Sequence, residues 1–177
     1  VTTDAPRTPT FAHDARPERS CSAPGTPPSV RDLTHEIETG MQTYPGDPAV
    51  SVTAAATVET DGYAVRRVEL GSHTGTHVDA PAHVFADGRT LDEFPPAAFV
   101  FDAVRVDCRD LDAREAIPAA RVPTETDADC VVFDTGWATH WGTDRYHDHP
   151  YLAPAAARAC AAAGLAVGTD TLSPDPT

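Results

Sequence analysis

The chain has 177 residues, 41% of them apolar, which suits one domain with an ordinary core and is short for two. No apolar run approaches the ~20 residues of a membrane span, and no charged-then-apolar opening marks a signal peptide. Acidic residues number 27 against 13 basic ones, all of them arginine, for a net charge of −14; such a surface repels phosphate backbones and argues against a nucleic-acid partner.

Two origins of this acidity stay open: a high-salt cytoplasm whose counterions screen the self-repulsion, or a GC-rich genome that writes Arg, Ala, Asp and Pro. Cys21, Cys108, Cys130 and Cys160 form no CxxC pair, so they outline neither a zinc ribbon nor a disulfide scaffold. A reducing cytoplasm is the expected location.

Residues 1–28 are rich in Pro, Thr, Arg and Ala without helical or strand period, and read as a disordered leader ahead of one domain over 29–177. A first strand is expected from Arg31 to Ile37. Tyr44-Pro45-Gly46-Asp47-Pro48 is turn chemistry. Val50 to Val58 and Tyr63 to Leu70 have strand character around an Asp61-Gly62 hairpin signal. Phe99 to Val106 and Cys130 to Phe133 are β-like. Pro154 to Ala163 predicts a helix opened by proline and closed by Gly164, followed by a buried strand at Leu165 to Val167.

The chemistry concentrates in Ser72-His73-Thr74-Gly75-Thr76-His77-Val78-Asp79-Ala80-Pro81-Ala82-His83. A helix would align His73 with His77 but send Asp79 elsewhere, and Gly75 and Pro81 oppose a regular helix. The even offsets suit an extended or looped segment that turns His73, His77, Asp79 and His83 to one side. Neutral imidazoles with a carboxylate are usual ligands of Zn²⁺, Mn²⁺ or Fe²⁺. Neither a GxSxG elbow nor a glycine-rich phosphate loop is present, which leaves serine and nucleotide chemistry without support.

From His73 to His83 the sequence resembles the HxGTHxDxPxH signature of the cyclase-like metal-dependent hydrolases, a family that includes bacterial kynurenine formamidase (arylformamidase) and isatin hydrolase. The likeness extends to Asp32-Leu33-Thr34-His35, the Tyr44–Pro48 turn, Phe133-Asp134-Thr135-Gly136-Trp137 and Gly168-Thr169-Asp170-Thr171-Leu172-Ser173. It implies an α/β fold with a mixed, largely antiparallel sheet and few helices, acting as a homodimer on a small-molecule substrate. It implies His73, His77 and Asp79 as ligands of one or two divalent ions, Zn²⁺ or Mn²⁺. His83 would be the acid/base, and Tyr44 would line the substrate pocket. The implied reaction is hydrolysis of an aryl or cyclic amide by a metal-activated water, most simply N-formyl-L-kynurenine to L-kynurenine and formate. An isatin hydrolase-like or cyclase activity, or a metal-binding homologue without catalysis, are the alternatives.

The family pattern continues past this last segment with a histidine and a glutamate that complete a two-metal site, whereas the sequence here stops at Thr177. Three readings stay open: a fragment, a one-metal site, or ligands from elsewhere, with His140, Asp144, His147, Asp148 and His149 as the local source. Asp170 is read either as a strand-end aspartate or as a hydrogen-bond acceptor for a ligand imidazole. His35 is expected to pack at a strand end.

Overall fold

The computed structural model describes residues 32–177, so the expected leader over 1–28, with Cys21, lies outside the described residues. Residues 34–177 form one compact unit. Its centre is a three-stranded parallel sheet ordered β3-β5-β7, built from β3 (Ala103–Asp107), β5 (Cys130–Asp134) and β7 (Ala166–Thr169). Strand β5 is central and reads Cys-Val-Val-Phe-Asp, the near-continuous apolar run that a strand covered on both faces requires.

Helix α2 (Pro154–Ala163) lies in the connection before β7. Proline opens it, and Gly164 closes it in the left-handed conformation, its N–H bonded back to Ala161. Between those signals its alanines are strong helix formers, and small Ala156 and Cys160 let it approach the core closely. That core joins Cys108, Ile117, Val122, Val131, Phe133, Ala156, Cys160 and Leu165. Full burial of side chains such as Phe133 and Val131 contributes about 1.5–3 kcal/mol each. Cys108, Cys130 and Cys160 are free and buried, and burial pushes all three thiols up.

A separate antiparallel pair joins β1 (Ser51–Ala56) to β2 (Val65–Glu69), with a register shift between Ala54 and Ala56. Their connection is not a two-residue hairpin turn. It is a helical turn, α1 (Val58–Asp61), capped by Thr57, whose hydroxyl accepts from the Thr60 N–H. Gly62 at φ 78 ends this turn, so the Asp-Gly pair serves as a helix stop. Two short parallel segments, β4 (Ala116–Ile117) and β6 (Tyr151–Leu152), complete the pairing.

The mixed α/β architecture with few helices agrees with the sequence, but the expected largely antiparallel sheet is corrected. Of the four strand pairings among the described residues, one is antiparallel and three are parallel. The links β3–β5 and β5–β7 are long, and long crossovers return a strand in the same direction. The first strand expected up to Ile37 is also absent: residues 32–38 carry no ladder. Polar groups there bond individually, as where the His35 N–H donates to Thr76 Oγ1 (3.1 Å). At 39–40 the chain docks on the start of β1, with Thr39 Oγ1 bridging both Val52 backbone groups and Gly40 N–H reaching Val50.

His149 is 1% exposed, and its Nδ1 pairs with the Pro150 carbonyl (2.8 Å), leaving Nε2 buried without a partner among the described residues. Burial chiefly, with Arg114 and His147 adding to it, pushes its pKa below the ordinary value of 6.5. The unfolded chain therefore takes up a proton below about pH 6.5 that the folded chain refuses. Stability from this group is complete above that pH and is lost as the pH falls through it. In chelator, urea unfolding of the wild type should weaken more steeply between pH 7 and pH 5 than that of His149→Gln; parallel curves would contradict the assignment.

Candidate metal centre

The chain leaves β2 at Glu69 and enters a loop whose glycine decides its path. Gly75 sits at φ +62, and a Cβ on it would meet Ile37 Cδ1 at 3.0 Å and Met41 Cε at 3.3 Å. Only glycine adopts that backbone at no steric cost, and the turn brings residues on either side of it together. The His73 Nδ1 then lies 2.8 Å from Asp79 Oδ1 and 3.1 Å from His77 Nε2, while His77 Nε2 is 3.3 Å from the same Oδ1. The His77 Nδ1–H donates to the Gly75 carbonyl (2.9 Å), since a carbonyl only accepts, and in the neutral ring this tautomer turns the Nε2 lone pair toward the cluster.

Past Asp79, Pro81 opens a 3₁₀ turn, Pro81–His83, in which the His83 N–H bonds to the Ala80 carbonyl. The turn delivers the His83 ring to 4.0 Å from the His73 ring. One ligand atom each of His73, Asp79 and His83 lies within 4.8 Å of the others. All four sequence-derived residues thus converge, with His83 set a little further out than the three expected ligands.

The donor set fits a divalent ion. At metal–ligand distances of about 2.0–2.1 Å, neighbouring ligand atoms are about 2.8–3.0 Å apart in an octahedral shell and about 3.3–3.4 Å apart in a tetrahedral one. The spacings among His73, His77 and Asp79 are 2.8, 3.1 and 3.3 Å. Their side chains are 30%, 28% and 46% exposed, so the cluster is open to solvent.

The other candidates do not join it. Tyr44 sits in its expected turn, where its carbonyl accepts from Asp47, and it makes no hydrogen bond or ring contact with the cluster. In the 137–149 loop, His140 packs edge-on against Trp137, His147 Nδ1 bonds to the Asp144 carbonyl, and Asp148 pairs with Arg114 (2.8 Å). His147 and His149 therefore face different partners rather than a common ion. Asp170 accepts from the Thr135 N–H (2.9 Å), the Thr135 hydroxyl (2.6 Å) and the Ala138 N–H (3.4 Å). It is a strand-end clasp between β7 and β5, and no ligand imidazole donates to it. Tyr146 adds to that clasp through the Asp170 carbonyl (3.1 Å), and burial pushes its phenol up to about 12.

Residues 31–176 match the Cyclase family model. The chain belongs to the Cyclase family. It is 32% identical over 154 residues to the kynurenine formamidase of Salinibacter ruber, an alignment covering 82% of this chain and 70% of that protein. A solved structure described as a potential metal-dependent hydrolase with cyclase activity superposes with a TM-score of 0.65 at 26% identity, over 82% of this chain and 69% of the other. Isatin hydrolase A from Labrenzia aggregata, bound to benzyl benzoate, shares the fold with a TM-score of 0.71 at 21% identity, over 82% of this chain and 69% of its own.

One residue that sequence reasoning passed over is Gly88, which packs against the turn carrying His83. A Cβ there would lie 2.5 Å from the Pro81 carbonyl carbon and 2.7 Å from the Ala82 nitrogen, backbone atoms that cannot rotate away. The Ala82 N–H bonds to the Arg89 carbonyl (3.1 Å) across the same approach. Its only signal in the sequence is a glycine after Asp87. Gly88→Ala should force this turn open, costing about 1–3 kcal/mol in chemical denaturation and weakening Zn²⁺ binding. Unchanged stability and Zn²⁺ titration would refute the close approach.

Proposed function

We propose that this chain is a metal-dependent hydrolase of small aryl or cyclic amides, most simply an arylformamidase converting N-formyl-L-kynurenine to L-kynurenine and formate. The observation that carries the reading is the convergence of His73 Nδ1 and His77 Nε2 on one oxygen of Asp79, with His83 beside them. The kynurenine formamidase relative supports the choice of amide. His73, His77 and Asp79 would hold the metal, Zn²⁺ first and Mn²⁺ as the alternative, as one ion or two. When bound, a divalent ion supplies an acidified water and a Lewis acid for the carbonyl oxygen.

The protein's own groups do the rest. Gly75 fixes the His77 tautomer through its carbonyl, so the donor atoms need no rearrangement. His83, next to the cluster and exposed, takes a proton from water as its oxygen closes on the formyl carbon. As the carbon–nitrogen bond breaks, His83 returns that proton to the departing aniline nitrogen. The products are the free amine and formic acid, which ionises to formate. Tyr44 would contact the aryl part of the substrate. The working unit would be a cytoplasmic homodimer of the domain over 29–177; among the described residues no helix is long and apolar enough to cross a membrane.

The test is metal stoichiometry by elemental analysis of protein purified without chelator, combined with turnover of formyl-anilines and isatin. His83→Ala should retain metal and lose about 10²–10⁴-fold in turnover, whereas His77→Ala should lose both. Equal metal loss in the two variants would make His83 a ligand, and bound metal with no turnover of any amide would leave a binding protein.

A further inference from the structure

Residues 35–42 have no regular secondary structure, yet they touch two loops far apart in sequence. On one side lies the metal-bearing loop. The His35 N–H donates to Thr76 Oγ1 (3.1 Å), and Ile37 and Met41 lie against the face of Gly75. On the other side is the 137–149 loop. The His35 imidazole lies flat on the Trp141 indole, with centroids 3.7 Å apart and planes 13° from parallel. Gln42 accepts from the Gly142 N–H (2.9 Å) and donates to the Thr143 carbonyl (3.2 Å). Trp141 in turn meets Tyr146 edge-on, and Tyr146 is tied to Asp170 at the end of β7.

Several properties of His35 exceed what a strand-end packing residue needs. Its ring is half-buried and its stacking is close and nearly parallel. Its backbone bond lands on the residue directly before His77. Phe, Tyr and His can all stack on an indole; here the stack and the amide bond belong to one residue, in a segment where Gln42 also bonds the 137–149 loop.

We propose that His35 is a positioning residue: stacked on Trp141 and bonded through its amide to Thr76, it locks the Trp141 loop and the loop bearing His73, His77 and Asp79 into one unit, which sets the affinity of that cluster for a divalent ion. The inference rests on the reading above that this cluster takes a divalent ion, while the stack itself is read by quenching without any metal.

The experiment is Zn²⁺ titration of the full chain by calorimetry, with acrylamide quenching of tryptophan emission recorded separately in a Trp137→Phe background so that Trp141 alone reports. His35→Ala should increase acrylamide quenching of Trp141 and weaken Zn²⁺ binding roughly threefold to tenfold, the scale of coupling between packed neighbours. Trp141→Ala should weaken Zn²⁺ binding equally, and the double variant no further, because both remove the same contact. His35→Phe, which keeps a flat ring on the indole, should restore both quenching and affinity. Additive losses in the double variant, or unchanged Zn²⁺ affinity in His35→Ala when quenching shows the stack is gone, would overturn the proposal. Absence of turnover in the wild type would count against the hydrolase reading alone, since the Zn²⁺ and quenching results decide the role of His35 without it.

Discussion

Asp79 Oδ1 sits 2.8 Å from His73 Nδ1 and 3.3 Å from His77 Nε2, and the two nitrogens are 3.1 Å from each other. The His77 tautomer set by Gly75 points a lone pair into this group, next to a carboxylate that also offers only lone pairs. Three electron-rich atoms at these separations repel unless a hydrogen or a cation lies among them, supplied by the His73 N–H or by a bound ion. The geometry of the loop is the geometry of that shared charge. The left-handed Gly75, the proline-started turn at Pro81 and the close pass of Gly88 over Pro81 together bring four side chains of an eleven-residue stretch to one place.

The protein separates this site from what makes it stable. Its core lies between the parallel sheet and α2, where β5 is covered on both faces, while the cluster hangs on irregular backbone open to solvent. Such backbone persists only if its polar groups find partners, and here they do so one by one: Thr39 with Val52, His35 with Thr76, Gln42 with Gly142 and Thr143. Loops built this way on a rigid scaffold are where binding groups concentrate.

The acidic surface is balanced locally where arginines are available. Arg105 pairs with Asp134, Arg109 with Asp107 and Arg121 with Asp110, all near the carboxyl ends of β3 and β5. The Asp107 carboxyl is held well below the usual range by hydrogen bonds from Arg109. Exposed pairs of this kind add about 0–1 kcal/mol each, so apolar burial around β5, not charge pairing, carries the fold.

Much of the site was legible because its information is local. The spacing of His73, His77, Asp79 and His83, with Gly75 and Pro81 ruling out a helix, named the residues that come together, and the proline and glycine around α2 marked its ends. What lay beyond reach depended on partners distant in sequence. Strand direction follows from the route of long crossovers, which no residue in β3, β5 or β7 records, and so an antiparallel expectation gave way to a parallel sheet. The Asp61-Gly62 pair is compatible with both a hairpin turn and a helix stop, and the capping hydroxyl of Thr57 selects the second. The tertiary structure alone decided that His35 stacks on Trp141, that Asp170 clasps Thr135 rather than a ligand imidazole, and that Gly88 must be small. Each depends on a distance between atoms whose positions are set by separate parts of the chain, and such distances exist only after the core has closed.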